Sequence, residues 1–263
     1  MGIYSMAISD LDSAISNLSE FQNLPSNIGT IQTTITQATA GLGDKLTTFA
    51  TETDDSFTPY VTKFNSLIGN WSSAVYSDVK TLVTSLQDTA NLSLSSISTL
   101  LSTCNEVIGA LTSSNKIVEN LIQQTNASIA SENSTLASDQ ADVSHWQDVL
   151  NNAAADPNPA GSVAYLALYN QAQAAVSADN SQIATLNSQV TQQSSLLGAA
   201  QKISDNIDAI IKQINCIEND LNFICGDINN VLDDATASSD MTTLKIYLVA
   251  ACNNLNTLIT DIS

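Results

Sequence analysis

The sequence has no arginine, one histidine and seven lysines among 263 residues, against 26 acidic residues, giving a net charge of −19. A nucleic-acid binder needs a basic footprint, and none exists here. Attraction to an anionic membrane surface is likewise disfavoured. Aromatic residues make up only 5%, so the core that the 43% of hydrophobic residues can supply is aliphatic. Charged residues, at 13%, are about half the usual share for a soluble domain. Ser, Thr, Asn and Gln occupy the surface positions that Lys and Glu normally hold, a composition typical of extracellular or structural proteins rather than cytosolic enzymes. Halophilic chains reach such acidity with dense carboxylates, whereas this one is sparsely charged. The charge reads as a solubility device that keeps copies apart.

Long apolar runs are also missing. The most apolar stretch, Leu244 to Cys252, is interrupted by Lys245 and falls far short of the roughly 18 residues of a membrane-spanning helix. The start, Met1 to Ile15, lacks the basic region and apolar run of a signal peptide. Gly2 does not mark myristoylation, because that motif wants Ser or Thr where Met6 stands. The four cysteines, Cys104, Cys216, Cys225 and Cys252, form no CxxC pair, and His145 is distant from all of them. A structural metal is therefore not expected. Free cysteines usually act as small buried hydrophobes. A helical hairpin turning near Ser238 would also bring Cys225 and Cys252 to similar heights as a disulfide, but sequence does not choose among the three connectivities.

Motifs for chemistry are absent too: no phosphate loop, no HExxH, no Gly-x-Ser-x-Gly elbow. His145 has Asp142 and Asp148 within a turn but no nucleophile beyond ordinary serines. It reads as a surface histidine beside Trp146. One histidine cannot furnish a ferritin-like di-iron site. The expectation is a non-enzyme with no catalytic, metal or cofactor-binding residue.

What the sequence does contain is helical periodicity, nearly end to end. A stripe at Ile8, Leu11, Ile15 and Leu18 stops around Pro25, and Ser26 can cap the next helix. That helix carries Ile28, Ile31, Ile35, Leu42, Leu46 and Phe49, weakened and kinked at Gly41 and Gly43. Thr53 to Pro59 reads as a turn, with Thr58 as N-cap and Pro59 opening a helix. From Pro59 a stripe continues through Phe64, Trp71, Val79, Leu86, Leu94, Leu101, Ile108 and Leu111. Unbroken to Leu150, that helix would span roughly 140 Å, so a reversal is expected at polar Thr112 to Lys116, near Ser114. The last third carries Ile203, Ile207, Ile210, Ile214, Ile217, Leu221, Ile224, Ile228 and Val231. A break at Asp233 to Asp240 follows, then Leu244, Leu248, Ala251, Leu255, Leu258 and Ile262.

The middle changes period. Ile122, Ile129, Leu136, Val143 and Leu150 recur every seventh residue, as do Val176, Ile183, Val190 and Leu197 beyond the Asp156 to Pro159 turn. Two heptad runs flanking a Pro-rich turn predict an antiparallel coiled-coil hairpin over 118–200, its tip at 152–169. Thr125, Glu132 and Asp139 at companion positions make its seam thin, the least stable part of the chain. Just past the turn, Val163, Tyr165, Leu166, Leu168 and Tyr169 surround the first helical turns with apolar and aromatic groups. Exposed, they would mark a membrane or partner contact. Tyrosine suits a lipid interface, with an apolar ring and a polar hydroxyl. Buried, they would cover the end of the bundle.

The fold expected is therefore all-α, an elongated antiparallel bundle of long helices over 1–263 with a coiled-coil hairpin. This arrangement resembles the cytolysin A, haemolysin BL and Cry6-type α-pore-forming toxins. The similarity is strongest at Phe223 to Leu232 followed by a polar break and Leu244 to Leu258, a helix with a last helix packing back on it. The resemblance implies a secreted protein, monomeric in solution, that refolds and oligomerises on a target-cell membrane. It also implies partner toxin subunits. The family's hydrophobic tongue corresponds by position to Val163 to Tyr169, which is shorter and more polar here and better suited to a component acting with partners. The alternative reading is a structural or assembly coiled-coil protein.

Overall fold

The computed structural model describes residues 3–22, 24, 26–74, 76–153, 159–237 and 241–262. The described residues form an all-α antiparallel bundle of long helices with a helical hairpin. The order is α1 (Ile3–Ser19), α2 (Ser26–Thr39), α3 (Leu42–Gly69), a 3-10 turn at Trp71–Ser73, α4 (Tyr76–Ala153), α5 (Pro159–Ala237) and α6 (Met241–Ile262). The expected stop near Pro25 separates α1 from α2, which begins at Ser26.

Five helix boundaries differ from those expected. Gly41 does more than kink a helix: at φ 71° and ψ 5° it is left-handed, which ends α2 and starts α3 afresh. Lys45 N–H donates to Gly41 O at 3.1 Å as the first bond of the new helix.

Thr53 to Pro59 is not a turn, because α3 runs straight through Pro59. An interior proline costs about 3 kcal/mol. Phe57, Tyr60 and Phe64 are buried on the same stripe as Leu46, Phe49 and Thr53, and each ring contributes about 1.5–3 kcal/mol. Together the rings outweigh the proline. The turn-forming side chains are satisfied within the helix: Thr53 Oγ1 donates to Phe49 O at 2.7 Å and Thr58 Oγ1 to Asp54 Oδ1 at 3.0 Å.

The break missed by the sequence reading lies at Asn70. Its backbone N–H and its side-chain amide both donate to Ser66 O at 3.1 Å, closing α3. A 3-10 turn follows, and Ala74 is extended. The stripe drawn from Phe64 across Trp71 therefore belongs to two helices.

No reversal occurs near Ser114: α4 is one helix of 78 residues, about 117 Å at 1.5 Å per residue. Within the polar run only Ser114 is buried, in line with Leu111 and Val118 at helical spacing, while Thr112, Ser113 and Lys116 are exposed. A small polar residue at one inward position does not end a helix that no Gly or Pro interrupts.

The chain divides into two compact units. The first comprises Met1–Glu20, Thr33–Thr112 and Ala199–Ser263. Its core is aliphatic, as expected: the full α5 stripe from Ile203 to Val231 and the α6 stripe from Leu244 to Ile262 are buried. Tyr4 anchors α1, donating from its hydroxyl to Leu46 O at 3.3 Å and meeting Phe49 edge-on at 6.3 Å. Burial, with Cys104 nearby, pushes its phenol well above the usual tyrosine range. Polar clips join helices at the rim: Gln87 Nε2 donates to Asn229 Oδ1 at 2.7 Å, and Asn254 Nδ2 to Asp227 Oδ2 at 2.9 Å. The second unit, Phe21–Gln32 with Ser113–Gly198, contains the hairpin arms of α4 and α5. The Asp156 to Pro159 turn falls on residues 154–158, outside the described residues, as does Ser238. On the near side α5 opens at Pro159, where a missing N–H costs nothing. At the far end α5 continues past Asp233 to Ala237, so the break before α6 is shorter than expected.

Candidate functional site at the helical hairpin

Every heptad residue of both arms, Ile122 to Leu150 and Val176 to Leu197, is only half-buried. Two helices alone cannot cover more of an aliphatic side chain, so the seam buries little. Between residues 126 and 192 the only buried side chains described are Ala172 and Asp179. A second polar layer sits nearer the other end of the arms, where Gln193 Nε2 donates to Thr125 Oγ1 at 3.1 Å. Gln193 is 2% exposed and its Oε1 has no partner. Leaving such an oxygen unmet costs about 1–3 kcal/mol.

Toward the tip, Val163 is 70% exposed, Leu166 49%, Leu168 38% and Tyr165 36%, and Tyr169 is half-buried. The Tyr169 hydroxyl accepts a hydrogen bond from Gln173 Nε2 at 2.6 Å. Tyr165 stacks on Trp146 of α4, with centroids 6.4 Å apart and rings 19° from parallel. His145 meets Trp146 edge-on at 4.8 Å. In sequence Trp146 stands only as the neighbour of His145. Pairing the arms makes it part of the apolar tip, and only the register across the hairpin could have signalled that. No basic side chain other than His145 lies between Lys116 and Lys202, a stretch with seven carboxylates.

Among the described residues no three His, Cys, Asp or Glu side chains are placed to hold a metal ion. An apolar groove of about 410 Å³ lies in the first unit between α3 and α4 beside Phe49 and Leu100. Its charged groups are Asp44, Lys45 and Glu52, and its hydroxyls are Thr48, Ser96, Thr99 and Thr103. All four cysteines stand as thiols: Cys104 and Cys252 are buried, Cys225 is half-buried and Cys216 is exposed. Burial pushes the Cys104 thiol up to about 11 and raises Cys225 and Cys252 as well, which suits small apolar filler rather than nucleophiles. No described helix is long and apolar enough to cross a membrane.

No protein-family model matches the chain, and no curated protein does. Among solved structures it is similar to the soluble AhlC triple head mutant of the tripartite α-pore-forming toxin AHL from Aeromonas hydrophila. The TM-score is 0.85 at 20% identity, covering 100% of this chain and 98% of that one. The soluble AhlC without those mutations gives 0.82 at 21% identity, covering 100% and 98%. The AhlB pore of the same toxin gives 0.55 at 12% identity, covering 97% and 96%. From end to end, the chain has the fold of α-pore-forming toxin proteins.

Proposed function

We propose that this protein is a secreted component of a multi-component α-pore-forming toxin, which docks on a target membrane through its hairpin tip and there assembles with partner subunits. The observation that carries the reading is the exposed apolar cluster of Val163, Tyr165, Leu166 and Leu168, at the end of a hairpin in a chain that matches AhlC over its whole length. A soluble protein does not leave such a cluster on a helix end without a use for it.

The size of the cluster limits what it does alone. Val163 to Tyr169 is seven residues, about 10 Å of helix, against a hydrocarbon core of about 30 Å. The tip enters the headgroup boundary and one leaflet, and crossing falls to partners. Binding rests on apolar burial, since the acidic hairpin is repelled by anionic headgroups. The test is dye release from neutral and sterol-containing liposomes with red-cell lysis in parallel, using wild type and Leu166→Asp. Liposome binding without leakage by the wild type, lost in the variant, supports a docking component. Leakage by the wild type alone would make it an autonomous pore former. A folded protein that neither binds nor leaks would leave a structural bundle.

A further inference from the structure

Between residues 126 and 192 Asp179 is the one buried polar side chain described, 8% exposed, and its Oδ2 has no hydrogen-bond partner. Its side chain contacts Asp139, half-buried on the opposite arm. The register agrees: Thr125 faces Gln193, and two heptads further on along each arm stand Asp139 and Asp179. The apolar layers between them are half-buried, and Asp179 is buried more deeply than any of them. Buried carboxylates normally meet a cation or a full set of donors. Here the other charged groups of this unit are Lys116, Glu119, Glu132, Asp142, His145, Asp148 and Asp156, and the facing arm of α5 contributes none besides Asp179. Asp142 is the next charge to act on Asp139, and it is negative.

We propose that Asp139 and Asp179 form a proton-operated clasp between the hairpin arms, closed when the two carboxyls share one proton and loosened when both are ionised. With one proton, a carboxyl O–H donates to the facing carboxylate, a short charge-assisted bond. Without it, two negative charges oppose each other at the seam, with Asp142 adding a third. Burial first, and then the charges of Asp179 and Asp142, hold the Asp139 carboxyl above its usual range. The sign follows: the closed hairpin binds the proton more tightly than the open one. Closure is therefore fully favoured below the ordinary carboxylate range and is lost as pH rises through the raised titration of Asp139. With both carboxyls ionised, the arms that carry the apolar tip are held by half-buried aliphatic contacts, the Gln193–Thr125 hydrogen bond and the Tyr165–Trp146 stack.

Hydrogen exchange, read by mass spectrometry on the full chain, tests this with Asp179→Asn and Asp139→Asn. Either amide donates to the remaining carboxylate at any pH and mimics the protonated pair. Comparing variant with wild type at each pH cancels the intrinsic pH dependence of exchange. At about pH 7.5, peptides within 126–153 and 163–192 should exchange several-fold more slowly in the variants. At about pH 4.5, near the ordinary carboxylate range, the difference should vanish. Peptides from 203–231 should not change at either pH, which controls for global stability. An absent difference at neutral pH, or one of equal size at both, would overturn the clasp. A third arm adds calcium chloride to the wild type: selective slowing of the same peptides would assign the pair to a divalent cation instead of a proton.

Discussion

Replacing Val163, Leu166 and Leu168 with serine removes most of the apolar surface that the tip offers to lipid. The exposed fractions of Val163, Tyr165, Leu166 and Leu168 add up to about two whole side chains. At about 1.5–3 kcal/mol for each side chain fully transferred from water, the tip has roughly 3–6 kcal/mol to gain from an apolar phase. Tyr165 contributes the smallest share, because its ring already stacks on Trp146. The triple serine variant should then keep no more than about a quarter of that energy. Since 1.4 kcal/mol is tenfold in affinity, binding to neutral phosphatidylcholine vesicles should fall by roughly two orders of magnitude or more. Co-flotation across a lipid titration measures it. The helix should tolerate the changes, because the replaced side chains point to solvent and serine costs only a few tenths of a kcal/mol in helix propensity. Unchanged flotation by a variant with wild-type circular dichroism would refute the reasoning, since the tip would then contribute nothing to membrane affinity.

Ser114→Pro should cost about 3 kcal/mol or more in urea denaturation, because position 114 lies inside a continuous α4; a mild effect would restore the reversal expected from sequence. Thr125→Val with Gln193→Leu removes a buried layer containing one unmet oxygen. It should stabilise the hairpin by about 1–3 kcal/mol, seen as slower hydrogen exchange in 118–130 and 186–198. Alkylation of the denatured, unreduced protein should modify four thiols, with Cys216 modified first in the native state and buried Cys104 last; two modified thiols would instead support the pairing of Cys225 with Cys252.

The sequence was most legible where apolar residues alone set the pattern. The stripes Ile203 to Val231 and Leu244 to Ile262 are buried as their spacing predicts, because three- and four-residue steps have one solution on a packed helix. It misled where local chemistry and packing disagree. Thr53 to Pro59 carries a turn's residues but sits among Phe57, Tyr60 and Phe64, and burial prevails. Gly69 and Asn70 are helix-stopping residues that the continuous apolar stripe across Trp71 overshadowed, and Asn70 closes α3 by bonding Ser66 O twice. In α4 the buried face runs through Leu100 and Val107 rather than Leu101 and Ile108, since neighbouring apolar residues leave the phase of a stripe ambiguous by one position. The tip residues could be named from sequence, but their exposure could not. The facing of Asp139 and Asp179 needed the register between arms, which the Thr125–Gln193 bond fixes.

The most direct measurement is the emission of Trp146 in a Trp71→Phe protein as neutral vesicles are added. Trp146 packs on Tyr165 within the tip, and with Trp71 removed it is the only indole in the chain. Docking through the hairpin tip predicts a blue shift on vesicle addition and quenching by lipids brominated along their acyl chains, both lost in Leu166→Asp. Unchanged emission from protein that co-floats with the vesicles would contradict the account, because the membrane would then be met by some other surface.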